Sequence, residues 1–341
     1  MSFISLILLL LTTSVGADGN PTNNLRNWGL INNLAKSHID APKAWSIEES
    51  GENVVVAVID TGVDVTHPDL QDSIWHDPKH PKTYGWDFVT NSPNPLDGHG
   101  HGTHVSGIIA AMNDFQHGVS GVSHHVLIMP VRFYSDGNTG AVNLHNTVKA
   151  INYAVSHGAK IINYSGGGPE FCEDEYIALK KAESNGVLVV SAAGNEHQNS
   201  DMVENYYYPS AYRLSNIVSV EGTDIRNNLI VSSNWGRSKV DVAAPGENIY
   251  STLPDGKFGY MTGTSQATAF VTGVAALLLS EEPSLSPQQI REILISSVDE
   301  VEQLRGKSVS GGRINAYSAL SLLKKKCLDG TIRTCKNRWG K

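Results

Sequence analysis

The sequence is short of cysteine, of positive charge and of long apolar runs, and each shortage removes a class of protein. Three cysteines in 341 residues, none at zinc-ligand spacing, exclude a cysteine-built zinc site. Lys+Arg number 26 against 34 Asp+Glu, a formal charge of −8, which argues against nucleic acid as a partner. The apolar run at residues 3–11 is too short to span a bilayer, and the one beginning near residue 267 is too short and too rich in small residues. No internal repeat and no linker divides the chain. A second Asp-Thr-Gly is missing: Asp97, Asp136, Asp255 and Asp329 each precede glycine without the intervening hydroxyl residue. That removes the paired carboxylates of an aspartic protease. His99-Gly100-His101-Gly102-Thr103-His104 lacks the aspartate of the His-x-His-x-Asp-His metallohydrolase pattern, and no later cluster supplies further ligands.

What is present describes an ordinary globular protein, 40% hydrophobic and 18% charged. The apolar run at 3–11 leads into Val15-Gly16-Ala17, small residues that suit cleavage after Ala17. Residues 1–17 read as a signal peptide and imply export, with no lasting membrane insertion. A polar segment, 18–26, follows. Cys327 and Cys335 lie eight apart in a basic tail, 324–341, and export would let them pair. Cys172 would then be a free thiol.

Asn53 to Ile59 is a continuous β-branched run, as in a strand buried on both faces. It ends at Asp60-Thr61-Gly62, and open α/β sheets place their sites at such carboxyl ends. Further strands are expected at 126–133, 160–164, 187–191, 217–220 and 240–243. Helices are expected at 102–112, 142–157, 173–185, 264–280, 286–297 and 315–324. The last helix but one carries a Ser286 cap with Pro287 in the first turn. This alternation predicts an α/β domain of three layers, a mostly parallel central sheet flanked by helices.

Three polar clusters stand at element ends: Asp60-Thr61-Gly62, the histidine cluster and Gly263-Thr264-Ser265. Ser265 opens a helix whose unpaired N–H groups favour developing negative charge. By itself it reads better as an ordinary capping serine. Taken together, an acid, a histidine and a serine form a nucleophilic relay. Their chain order, Asp then His then Ser, is the subtilisin order.

The chain resembles the subtilisin-like serine proteases from about Trp28 to Leu323, with a catalytic domain taken as 27–323. The matching pieces are Val58-Ile59-Asp60-Thr61-Gly62, His67-Pro68-Asp69-Leu70, Gly100-His101-Gly102-Thr103-His104-Val105, Ser191-Ala192-Ala193-Gly194-Asn195, Tyr208-Pro209, Ala244-Pro245-Gly246 and Gly263-Thr264-Ser265. The resemblance implies a serine endopeptidase acting on proteins or peptides as a monomer, without a catalytic cofactor. It makes Ser265 the nucleophile, His101 the base, Asp60 its partner and Asn195 the oxyanion donor. His104 becomes structural, and His99 a loop residue near the cleft. Substrate would lie extended between Tyr164–Gly168 and the Asp136–Val142 region, touching Ser165, Gly166 and Gly167. Glu196 would stand at the mouth of the primary specificity pocket, giving broad cleavage with a preference for large side chains. A structural Ca²⁺ would sit between Asp69 and a loop holding Asp114, with Asn113 or Gln116 as further donors.

This sequence also departs from the family. Gln266, Ala269 and Phe270 replace the usual Met and Pro-His after the nucleophile, and Gly166 replaces a leucine. Only residues 18–26 stand where exported relatives carry a folding pro-domain. A catalytically silent peptide-binding relative is the alternative reading.

Overall fold

The computed structural model describes residues 26, 28–31, 36–112, 118–333 and 335. The expected signal peptide, nearly all of the 18–26 segment, Asn113, Asp114, Gln116 and residues 334 and 336–341 of the basic tail lie outside the described residues.

The elements run α1 (Ala41–Trp45), β1 (Val55–Asp60), β2 (Trp86–Asp87), α2 (His101–Ala110), β3 (Leu127–Arg132), α3 (Gly140–Ser156), β4 (Ile161–Tyr164), α4 (Glu173–Ser184) and β5 (Leu188–Ala192). Then come β6 (Ile217–Thr223), β7 (Val242–Pro245), β8 (Ile249–Leu253), β9 (Lys257–Met261), α5 (Thr264–Glu281), α6 (Pro287–Ser296), β10 (Asp299–Glu300), β11 (Gly312–Arg313) and α7 (Ala316–Leu328). Nine strands form one sheet in the order β10-β11-β7-β6-β5-β4-β1-β3-β2, parallel except between β10 and β11. The α/β fold with a mostly parallel sheet is the one the sequence predicts.

Strand β1 shows why the sheet sits between helices. Val56 and Val58 enter one core with α2, α5 and α7, while Ala57 and Ile59 enter the other with α3 and α4. A strand buried on both faces needs apolar residues at every position, which its sequence supplies. Helix α5 is buried nearly all round. A Cβ on Gly273 would come within 2.4 Å of Val122, so glycine permits that close packing. In α6 the Ser286 side chain accepts from the Gln289 N–H, and the Gln289 side chain accepts in return, a capping box.

The short elements α1, β2, β10 and β11 were not anticipated, and two larger features differ as well. Strands β8 and β9 form an antiparallel hairpin. Its turn contains Asp255-Gly256, both at positive φ (65° and 66°), the dipeptide that favours such turns. Helix α7 runs on to Leu328, so the expected boundary at 323/324 falls inside a helix. Cys327 on that helix pairs with Cys335, with Cα atoms 5.5 Å apart, and Cys172 is free.

Candidate active site

The carboxyl end of β1, the start of α2, the end of β5 and the start of α5 bring the expected residues together. Asp60, His101 and Ser265 are each no more than 5% exposed. The His101 Nδ1–H donates to Asp60 Oδ1 at 2.7 Å, and the same oxygen accepts the Thr61 N–H at 2.7 Å. That bond leaves Nε2 as the imidazole's free acceptor. Burial opposes a charge on His101, but the Asp60 carboxylate, its hydrogen bond and the Asp97 charge outweigh it. The pKa of His101 is therefore raised above the usual histidine value.

Close approach between α2 and β1 depends on Gly102. A Cβ there would lie 2.0 Å from the Gly62 carbonyl oxygen and 3.1 Å from Asp60 Cβ. Any larger residue would push His101 off its partner.

Ser265 Oγ donates to the Ser165 carbonyl at 3.0 Å, and Ser165 Oγ donates to the Ser265 carbonyl at 3.3 Å. Among the described residues no hydrogen bond joins Ser265 to His101. The two lie at one cleft, because Ser165 and Gly166 line the same small cavity as Asp60 and His101. As the second residue of α5, Ser265 has no helical acceptor for its own N–H. Asn195 Oδ1 accepts from the Thr264 N–H at 3.0 Å and the Thr264 hydroxyl at 3.2 Å. Those bonds fix the amide orientation and leave its NH₂ end for a ligand oxygen.

Gln266 is buried beside this site, its Nε2 donating to Met261 Sδ at 3.9 Å. The polar departure thus has a partner. His104 is structural: its Nε2–H faces the carbonyls of Ile249 and Gly259 at 3.0 and 3.2 Å, pinning α2 to the hairpin. Burial and the nearby His101 lower its pKa to about 3, so it stays neutral. Among the described residues no three His, Cys, Asp or Glu side chains converge as metal ligands. The histidine cluster is divided between Asp60 and the hairpin.

Three residues escaped the sequence reading. Asp97 accepts the His99 and Gly100 N–H groups and the Thr61 hydroxyl at one oxygen, all at 2.8–2.9 Å. Its other oxygen takes the Thr103 N–H at 2.9 Å and the Thr103 hydroxyl at 2.6 Å. It therefore satisfies the start of α2 and holds the loop carrying His101. Thr61 Oγ1 in turn accepts the Gly102 N–H at 3.0 Å. An aspartate just ahead of a helix start was the available signal.

The third is Tyr207, whose ring is wedged between two backbone segments beside Asn195. A Cβ on Gly167 would meet its Cε1 at 2.5 Å, and one on Gly194 would meet its Cδ2 at 3.0 Å. No pattern in the sequence marked this residue. Glu196 is drawn inward, its Oε2 accepting from Asn234 Nδ2 at 2.6 Å. Burial raises its pKa against the effect of that bond.

Asp69 is buried, and its Oδ2 accepts the Val119 N–H at 2.9 Å. Its main-chain oxygen accepts the Met112 N–H at 2.9 Å. Asp69 thus ties Met112 through its main-chain carbonyl and Val119 through its carboxylate, the residues on either side of 113–117, and a carboxylate is the kind of oxygen donor a hard cation takes.

A parallel α/β domain with a buried Asp–His pair and a serine opening a core helix defines the class: a serine hydrolase. The sequence model of the subtilase family matches residues 51–315. Thermitase from Thermoactinomyces vulgaris is 38% identical over 282 residues, covering 83% of this chain and 93% of its own. The major intracellular serine protease of Bacillus subtilis is 39% identical over 254 residues, 74% of this chain and 77% of its own. A solved protease from Pseudoalteromonas arctica superposes with a TM-score of 0.74 at 27% identity, covering 88% of this chain and 99% of that one. The chain belongs to the subtilase family of serine endopeptidases.

Proposed function

We propose that the chain is an exported endopeptidase in which Ser265 attacks the peptide carbonyl and His101 takes its proton at Nε2. The 2.7 Å Asp60–His101 bond, buried at the cleft that Ser165 shares with Ser265, carries this reading. Asp60 fixes the tautomer and stabilises the imidazolium that forms. The Ser265 hydroxyl turns from the Ser165 carbonyl to His101 when substrate binds, since catalytic hydrogen bonds often tighten only in the complex. Asn195 Nδ2 and the Ser265 N–H hold the oxyanion. The imidazolium protonates the leaving amine, and water then hydrolyses the acyl-enzyme by the reverse relay. A fluorophosphonate probe should label Ser265, as located by peptide mapping. An unlabelled Ser265 in folded protein would favour the silent peptide-binding relative.

Asn195→Leu should lower kcat by about two to three powers of ten with little change in KM. Circular dichroism should show the fold intact. An unchanged kcat would remove Asn195 from the oxyanion site.

We infer further that Tyr207 sets selectivity beside the scissile bond, in place of the preference for large side chains expected from Glu196. A ring already held between Gly167 and Gly194 leaves room for small substrate side chains only. Tyr207→Gly should raise kcat/KM for Phe relative to Ala at that position by about tenfold or more. An unaltered Phe-to-Ala ratio would count against it.

Export is supported by the Cys327–Cys335 pair, because disulfides persist in oxidising compartments. No helix among the described residues is long and apolar enough to cross a membrane. N-terminal sequencing of secreted protein should begin at Asp18.

Calcium belongs to the same reading, with Asp69 as one donor and Asp114 as another. It supplies stability and takes no part in the reaction. Calcium at a hundred times its dissociation constant should stabilise Ser265→Ala protein by roughly 2.7 kcal/mol. Equal melting points in calcium and EGTA, or a shift that survives Asp69→Ala, would dismiss the site.

A further inference from the structure

A cavity of about 710 Å3 opens between the loop entering α3 and the segment that follows β4. Phe133 and Tyr134 line both this cavity and the small one holding Asp60 and His101, so the two share a wall. Gly166 leaves that wall uncrowded: a Cβ there would stand 3.1 Å from the Tyr164 ring and 3.4 Å from Phe133.

The lining is aromatic and acidic. Its rings are Phe133, Tyr134, Tyr164 and Tyr208, its carboxylates are Asp136, Glu170 and Glu175, and no Lys, Arg or His contributes. Asp136 accepts the Tyr134 hydroxyl at 2.8 Å. Glu175 lies buried, held by the hydroxyls of Tyr164 at 3.0 Å and Tyr212 at 2.8 Å. Aromatic faces and carboxylates attract the same kind of guest. A cation gains from the ring quadrupoles and from the acidic groups, and a guanidinium can stack and form paired hydrogen bonds at once. A neutral aromatic guest would gain from the rings alone and would strip water from carboxylates without replacing it.

Resting on the endopeptidase reading above, we propose that this cavity is a subsite for an arginine side chain of the substrate, N-terminal to the residue at the scissile bond. With Tyr207 restricting the primary pocket, sequence discrimination moves to this upstream subsite. The substrates are then proteins or peptides with a basic residue a few positions before the cut.

The test uses quenched fluorescent peptides in which each upstream position carries arginine or its neutral isostere citrulline. At one upstream position kcat/KM should favour arginine by about tenfold. The double variant Asp136→Asn, Glu170→Gln changes two exposed carboxylates and should bring that ratio towards one. A ratio near one at every position overturns the subsite, as does a ratio that the double variant leaves unchanged. Fluorophosphonate labelling of Ser265 is run on the same protein. Labelling without arginine preference sinks the subsite alone, whereas absent labelling sinks the endopeptidase reading.

Discussion

Ser265→Ala should lose about six powers of ten in kcat while keeping its fold and its affinity for peptides. That magnitude is the one measured in subtilisin, a member of the same family, and is carried over to this chain. The physical reason is that the relay acts as a unit. Without Oγ there is no nucleophile, and a raised-pKa imidazole has nothing to deprotonate. The residual rate comes from the oxyanion donors and from binding alone. Removing the hydroxyl also deletes its bond to the Ser165 carbonyl, at 3.0 Å. Ser165 still donates to the Ser265 carbonyl, so the start of α5 stays tied to the segment after β4. Single-turnover kinetics with a peptide substrate would measure the loss. A Ser265→Ala protein that cleaved at the wild-type rate would end the proposal.

The next largest effect is expected at Asp60. Asp60→Asn preserves shape but removes the charge that holds His101 Nδ1–H, and should lower kcat by about four powers of ten. It should also move the pH profile, with a definite sign. In the wild type, His101 works as a base only when neutral, so kcat/KM rises with pH through its raised pKa. Removing the carboxylate leaves burial and the weaker pull of the Asp97 charge. Burial disfavours the charged form, so the pKa falls and the acid limb shifts to lower pH. A lower rate with an unmoved acid limb would mean that Asp60 does not govern His101's protonation. Replacing Asp97, which bonds the loop and not the imidazole, provides the contrast. Asp97→Asn should move the limb less, because its charge acts on His101 more weakly than that of Asp60, which also bonds the imidazole.

The sequence by itself determined most of the helices and central strands and put Asp60, His101 and Ser265 at their ends. A β-branched run, a glycine-flanked histidine and a serine ahead of a small-residue helix are local signals. Hydrophobic periodicity and helix-start chemistry act over a few residues, so Asp60, His101 and Ser265 could be placed at element ends without coordinates. The Ser286 cap was legible for the same reason. The Asp255-Gly256 turn is equally local, but β9 has no buried residue and lacks a strong apolar pattern to mark the hairpin.

Only the tertiary structure decided what stands between segments distant in the chain. Tyr207 meets Gly167 and Gly194 because three separate loops converge, and nothing local to any of them specifies which ring enters the gap. Glu196 turns to Asn234, 38 residues away, so its expected place at a pocket mouth could not be judged from its neighbours. Asp97 binds Thr61 across 36 residues, which converts an ordinary helix cap into the clamp on the histidine loop. The acidic, aromatic cavity likewise draws its walls from the segment after β3, from α3, β4 and α4, and from the Tyr208 loop. Side-chain identity fixes what each group can do, but the space it fills is set by long-range packing. The chemistry was therefore readable from the chain, and the selectivity from its packing.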